Sequence, residues 1–315
     1  MTVAATVTST VRTRTDFVTS SRVNNTPAIG ALNATASPVP DNTVCSRRIS
    51  SMASRAQRPA GDQHDQVAGG GGDNAVSAIG VGAVSPGDAF ISLGTSGVLF
   101  VVTDAYRPAP QSAVHAFCHV LPNLWHQMSV MLSAASCLQW FCRLTGTTEV
   151  ALLEEIAELS EEEKSHAPFF LPYLSGERTP HNDPDARGMF WGMTHSSLRA
   201  QLGYAVLEGV SFGISDGLQV LKESGTQIEQ CSLVGGGARS PFWAQLLADI
   251  LDMPVVTHKG GETGGALGAA RLACLAAGKP MTEVCEKPEI WQTWRADPVR
   301  HQTLMRRYAQ FKALY

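Results

Sequence analysis

The sequence predicts an α/β fold, and three features of it carry that prediction. From Val67 onward, short apolar runs that suit strands alternate with longer stretches whose apolar residues recur at helical spacing. Glycine clusters stand where an apolar run gives way to a helical stretch, at 69–72 and again at 235–237. Strands and helices are interleaved along the chain rather than segregated, the pattern of helices layered on a mixed sheet.

Composition narrows the function. The 315 residues make room for one large or two medium domains, and 44% hydrophobic with 17% charged residues describes an ordinary globular protein. A formal charge of −4 gives no electrostatic footprint for nucleic acid or an anionic membrane. No apolar run approaches the roughly 20 residues that a membrane-spanning helix needs. Seven cysteines are scattered through the chain (45, 118, 137, 142, 231, 274 and 285), with no Cys-x-x-Cys pair. Most sit in apolar company, where a free thiol behaves as a small hydrophobe, so a reducing cytoplasmic setting is expected.

Residues 1–66 differ from the rest. They contain no Lys, Glu, Trp or Tyr, a single Phe (Phe17) and a single Leu (Leu32), and they are rich in Thr, Ser, Ala and Arg. With so little apolar surface to offset ordering entropy, the segment is expected to be unstructured. A transit peptide, a functional disordered tail and a stretch that was never selected as protein are the three readings, and the third is preferred.

The elements follow from Val67. Val67-Ala68 reads as the end of a buried strand, and four glycines follow, each costing about 0.5–1 kcal/mol inside a regular element. Asp73 then opens a helix-permissive run from Ala75 to Val84. A carboxylate here is either a helix cap or a functional group standing alone on a glycine shelf. Ser85-Pro86-Gly87-Asp88 is a turn, Ala89 to Leu93 a strand, Gly94-Thr95-Ser96-Gly97 a hairpin, and Val98 to Thr103 the returning strand. His115 to Val120 and Trp125 to Met131 read as two more strands, and Ser133 starts a helix that stops at Gly146. Ala151 to Lys164 reads as one charged surface helix, and Phe169 to Leu174 leads into an irregular loop, 175–187. Ser196 to Gly225 gives the longest helical pattern. Cys231 to Val234 is a buried strand ending in three glycines. Pro241 to Leu251 is a helix with proline in its first turn. Pro254 to Thr257 is a strand, and Ala266 to Ala277 a helix of small residues.

Two glycine turns join Asp73 as candidates for chemistry. Gly94-Thr95-Ser96-Gly97 is either a plain hairpin or an anion nest with two hydroxyls added. Gly235 to Ser240 is either a tight strand-to-helix turn or a phosphate cradle at a helix start. Neither carries a P-loop or the dinucleotide fingerprint. His115, His119 and His126 lack supporting carboxylates and read as structural or surface residues. Glu177, Arg178, His181 and Asp183 read as a salt-bridged structural loop, with a place at a sugar cleft as the alternative. Glu262 reads as a cap for the small-residue helix.

Together these blocks resemble the FGGY carbohydrate kinases. The resemblance rests on Gly70-Gly71-Gly72-Asp73-Asn74-Ala75, Ser92 to Gly97, Leu171 to Asn182, Gly235 to Ser240 with Trp243 and Gln245, and Gly264 to Ala270. Within that family, His115-Ala116-Phe117-Cys118-His119 and the Leu-Pro-Tyr-Leu-Ser-Gly-Glu-Arg-Thr-Pro run are most similar to the xylulokinase branch. The resemblance implies an actin-like, ribonuclease-H-type fold, with residues 67–315 as the second, nucleotide-binding domain of a two-domain kinase that uses ATP and Mg2+. It implies transfer of phosphate to a sugar hydroxyl, D-xylulose to D-xylulose 5-phosphate, with another small sugar or polyol, or an inactive ATP-binding remnant, as alternatives. It makes Asp73 the general base, Gly94, Thr95 and Ser96 the phosphate hairpin, and Gly236, Gly237, Arg239 and Ser240 the nucleoside and α-phosphate turn. The family's first domain carries an Asp-x-Gly-Thr run for magnesium and most of the sugar contacts, and this chain has no such run. A remnant with little kinase activity of its own is therefore expected, with an exposed cleft face prone to self-association, as a homodimer or otherwise.

Overall fold

In a computed structural model the described residues, 71–259 and 264–315, are organised by a seven-stranded sheet. The readings on residues 1–66, on Val67-Ala68 and on Glu262 lie outside the described residues. The chain enters with helix α1 (Asp73–Gly80), then β1 (Ala89–Leu93) and β2 (Gly97–Thr103), β3 (His115–Cys118) and β4 (Trp125–Met131). Helices α2 (Ala135–Thr145), α3 (Glu149–Ala157) and α4 (Glu161–Ser165) follow, then a separate two-stranded ribbon, β5 (Phe169–Leu171) with β6 (Met189–Trp191). The 25-residue α5 (Arg199–Glu223) leads to β7 (Cys231–Val234), α6 (Pro241–Leu251), β8 (Val255–His258), α7 (Gly264–Ala276), α8 (Met281–Val284), β9 (Ile290–Trp294) and α9 (Pro298–Lys312).

The strand order is β3-β4-β2-β1-β7-β8-β9. Strands β1 to β4 are antiparallel, with β4 inserted between β2 and β3, and crossovers that include helices make β1, β7 and β8 parallel neighbours. All seven residues of β2 are buried, which explains its unbroken apolar run: both faces are covered. On one face Phe90, Phe100, Val102 and Val234 pack with Ala78 of α1 and with Val81 and Ala83 just after it. On the other, Ile91, Leu93, Leu99 and Leu233 join the large core that takes in α2, α5 and α6.

Glycines permit the two closest backbone approaches. A Cβ on Gly80 would lie 1.9 Å from the Gly264 carbonyl, and one on Gly268 1.9 Å from that of Val76, so α1 and α7 touch main chain to main chain. Gly209 of α5 likewise sits against the Phe170 carbonyl of β5, 2.1 Å from where a Cβ would stand.

The structure corrects several element readings. The run 151–164 is two helices, because Ser160 and Glu163 form a capping box: the Ser160 Oγ accepts from Glu163 N (3.2 Å), and Glu163 Oε2 accepts from Ser160 N (2.8 Å). Helix α1 ends at Gly80 rather than Val84, where Gly82 takes a φ of 72°. Four elements, β6, α8, β9 and α9, have no counterpart in the sequence reading. Helix α9 brings Arg307 into the core, where its guanidinium grips Glu208 at 2.6 and 2.7 Å and donates to the carbonyls of Ser165 and Ala167.

Replacing Gly209 with Ala forces the Phe170 backbone away, so a loss of about 1–3 kcal/mol is expected, read from the denaturant midpoint. Burial holds the His119 ring at a pKa of about 4 and the His126 ring at about 3. The unfolded chain protonates both below about 6.5 while the folded chain does not, so this contribution removes stability as pH falls from 6.5 toward 4. His126 stacks on Phe100 at 4.5 Å, and His126→Phe should flatten the acid side of the stability–pH curve relative to wild type.

Candidate nucleotide site

Parallel pairing sets the site. The register Ala89↔Cys231 to Ser92↔Val234 makes β1 and β7 leave the sheet at the same edge, so the turns that follow them lie side by side. Leu93, fully buried at the end of β1, is where they meet. Gly235 takes a φ of 88°, and a Cβ on it would stand 2.9 Å from the Leu93 carbonyl oxygen; one on Gly237 would stand 2.3 Å from Leu93 Cδ2. These two glycines are explained by packing. Gly236 is not: it is exposed, and among the described residues a Cβ there would meet nothing within 4 Å. Among the described residues Gly94 would meet only the Ser96 carbonyl, at 3.7 Å, and Gly72 nothing. Such positions leave room for a ligand to approach the backbone.

The hairpin has its carbonyl side committed. Thr95 O accepts from Ala134 N (2.9 Å) and Ser136 Oγ (2.7 Å), and Gly94 O accepts from Ala135 N (2.8 Å). Ala134, the residue before α2, offers no side-chain cap, so the hairpin satisfies amides that the helix start leaves open. The Thr95 and Ser96 side chains remain exposed. In the second turn Arg239 is exposed, while Ser240 is buried and caps α6, its Oγ accepting from Trp243 N at 3.2 Å with Pro241 next in the chain.

Asp73 belongs to a different element. It is the first residue of α1, Gly72 is the cap position, and the exposed carboxylate accepts from Asn74 N (2.8 Å) and Asn74 Nδ2 (3.3 Å). The cap reading therefore fails, since a cap bonds an amide further along the first turn. A Cβ on Gly71 would fall 2.4 Å from Val120 Cγ1, so the start of α1 leans on the β3–β4 connection. No hydrogen bond among the described residues joins Asp73 to either turn.

The loop's one described ion pair joins Arg187 to Asp185 at 3.7 Å, outside the polar cluster. Among the described residues Glu177, Arg178, His181 and Asp183 make no ion pair. Glu177 Oε1 instead accepts from the backbone of Leu132 (3.0 Å) and Arg178 (2.7 Å). His181 Nε2 bonds the Tyr173 hydroxyl at 3.1 Å, and Tyr315 donates to Asp183 at 2.9 Å. His119 and His126 pack in the aromatic cluster around Phe100, and among the described residues no group of three or more His, Cys, Asp or Glu could hold a metal.

Gly236→Ala should leave the unfolding midpoint within about 0.5 kcal/mol of wild type, as at an open surface position, while weakening nucleotide binding. Gly235→Ala should destabilise by about 1–3 kcal/mol, because it needs positive φ and collides with Leu93. Thermal unfolding and nucleotide titration of the two variants separate packing from ligand approach.

Residues 89–277 match the profile described as the FGGY family of carbohydrate kinases, C-terminal domain. The xylulose kinase of Escherichia coli K12 is 48% identical over 251 residues, covering 79% of this chain and 52% of that protein. The xylulose kinase of Klebsiella pneumoniae is 50% identical over 210 residues, 67% of this chain and 43% of that protein. Among solved structures, a "xyloylose kinase" from Brucella ovis superposes with a TM-score of 0.74 at 47% identity, covering 78% of this chain and 51% of that one. The xylulose kinase from Rhodospirillum rubrum does so with a TM-score of 0.67 at 28% identity, covering 78% and 50%. The chain thus spans about half the length of the relatives it matches. A sheet with two glycine turns at one edge and a match over residues 89–277 lead to one conclusion: the chain belongs to the FGGY family of carbohydrate kinases, with that match in the family's C-terminal domain.

Proposed function

We propose that this chain is the nucleotide-binding half of an ATP-dependent sugar kinase that forms D-xylulose 5-phosphate from D-xylulose. The observation that carries the reading is the pair of glycine turns meeting at Leu93, with Gly94 and Gly236 free of any packing demand for glycine. The hairpin Gly94, Thr95, Ser96 would take the terminal phosphates, through main-chain amides and two exposed hydroxyls. Gly236, Gly237, Arg239 and Ser240 would hold the nucleoside and α-phosphate, beside the positive end of α6. Asp73 is the proposed general base that accepts the proton of the attacking sugar hydroxyl. Phosphoryl transfer rests mainly on positioning and charge stabilisation, so one exposed carboxylate suffices for that role. The family's use of Mg2+ finds no matching donor set among the described residues, and no residue of this chain is assigned to it.

The proposed setting is the cytoplasm; no described helix is long and apolar enough to cross a membrane. Self-association, as a homodimer or otherwise, is proposed through the exposed cleft face.

Calorimetry with ATP, with D-xylulose phosphorylation followed in the same sample, tests the reading. Binding without appreciable turnover is expected; no binding overturns it, and full turnover by this chain alone overturns its assignment to half of a catalytic cleft. In a chain completed with the other half of a relative, Asp73→Asn should cut transfer by at least about a hundredfold with ATP affinity nearly unchanged.

A further inference from the structure

We propose that Glu177 is a positioning residue for the phosphate hairpin, holding the backbone that shapes Gly94–Ser96 and thereby favouring phosphorylated nucleotides over the bare nucleoside. The role rests on the nucleotide reading above. Glu177 is only 3% exposed, in a loop without regular structure. Its Oε1 takes the N–H of Leu132, the first residue beyond β4, together with the N–H of Arg178. Thr179 ties the same loop to β4: its N–H donates to Val130 O (3.0 Å), and its Oγ1 accepts from Val130 N and donates to Ala113 O, each at 3.1 Å.

From Leu132 the chain reaches the hairpin in two steps. Only Ser133 intervenes before Ala134, whose N–H donates to Thr95 O, and Ala135 and Ser136 complete the grip on Gly94 O and Thr95 O. At the other end of the hairpin, Gly97 pairs with Met131. Residues 131–136 therefore hold both ends of the turn, and Glu177 holds the amide at the joint between β4 and α2. Removing that acceptor leaves a buried N–H without a partner and frees the joint.

The group also titrates near neutrality. Burial is the largest influence on its carboxyl and the Asp216 charge adds to it; the amides of Arg178 and Leu132 and the Arg178 charge oppose them, and the balance pushes the pKa up to about 7. The titratable groups facing it are Arg178 on its own loop, Asp216 on α5, Tyr173 after β5, Cys137 on α2 and Tyr315 after α9. The carboxylate accepts the Leu132 amide more strongly than the acid form does, so the hairpin is held more firmly as pH rises through about 7.

The test measures ATP, ADP and adenosine binding to the full chain by calorimetry for wild type, Glu177→Gln and Glu177→Ala at pH 6 and pH 8. Glu177→Ala should weaken ATP and ADP by about tenfold and leave adenosine within about twofold. Glu177→Gln, which keeps an acceptor, should recover most of the loss at pH 6 and fall behind wild type at pH 8. Equal weakening of adenosine and ATP overturns the role, since it would mean a general structural loss. Unchanged ATP affinity in both variants also overturns it. Absence of ATP binding by wild type is a separate result, removing the nucleotide reading and this role with it.

Discussion

The two glycine turns depend on one pairing, the parallel register of β1 with β7. It places a hairpin and a strand-to-helix turn at the same edge and lets Gly235 and Gly237 close onto Leu93. A parallel pair needs a long crossover between its strands. That requirement accounts for α2 to α5 and the β5–β6 ribbon between β1 and β7, and those elements in turn build most of the large core. The site is local in space and distant in sequence because the sheet is made this way.

Around that pairing the chain uses two different means of cohesion. On the α5 side, large side chains interlock, and a buried guanidinium–carboxylate pair, Arg307 with Glu208, ties α9 to α5. Such a pair adds little net stability over well-packed apolar groups, but it penalises any arrangement that separates the partners. On the α1 side the helices meet through glycine backbones, with only Gly268 of α7 buried. Cohesion there comes from close main-chain contact, from the small apolar cluster around Ile79 that Leu272 and Leu275 join, and from Arg271, which donates to the Ile79 and Gly80 carbonyls.

The elements legible in the sequence are those bracketed by residues with a single conformational meaning. Pro86-Gly87 before β1, the glycines after β7 and Ser240-Pro241 before α6 each marked a boundary that the structure reproduces. Ser160 to Glu163 carried an equally definite capping signal, hidden because it sits in a uniformly charged run. Strand β9 was missed because four of its five residues are exposed, and α9 because the Arg307 on its core face reads as a surface residue. Among the candidate site residues, the two turns were visible through their glycines and neighbouring apolar runs. Glu177 was visible only as one charge among several, because its partner at Leu132 lies 45 residues away and is a backbone amide. Pairings of that kind leave no periodic mark on a sequence.

Ser240 carries a further consequence. Its oxygen already accepts from the Trp243 amide, which leaves the hydroxyl its proton and one lone pair, and which fixes where that oxygen stands. Paired with the start of α6, it gives the second turn a fixed electrical polarity, carried by groups that neither gain nor lose a proton across the physiological pH range. Whatever acid-sensitivity the molecule shows elsewhere, the polarity of this turn is independent of it.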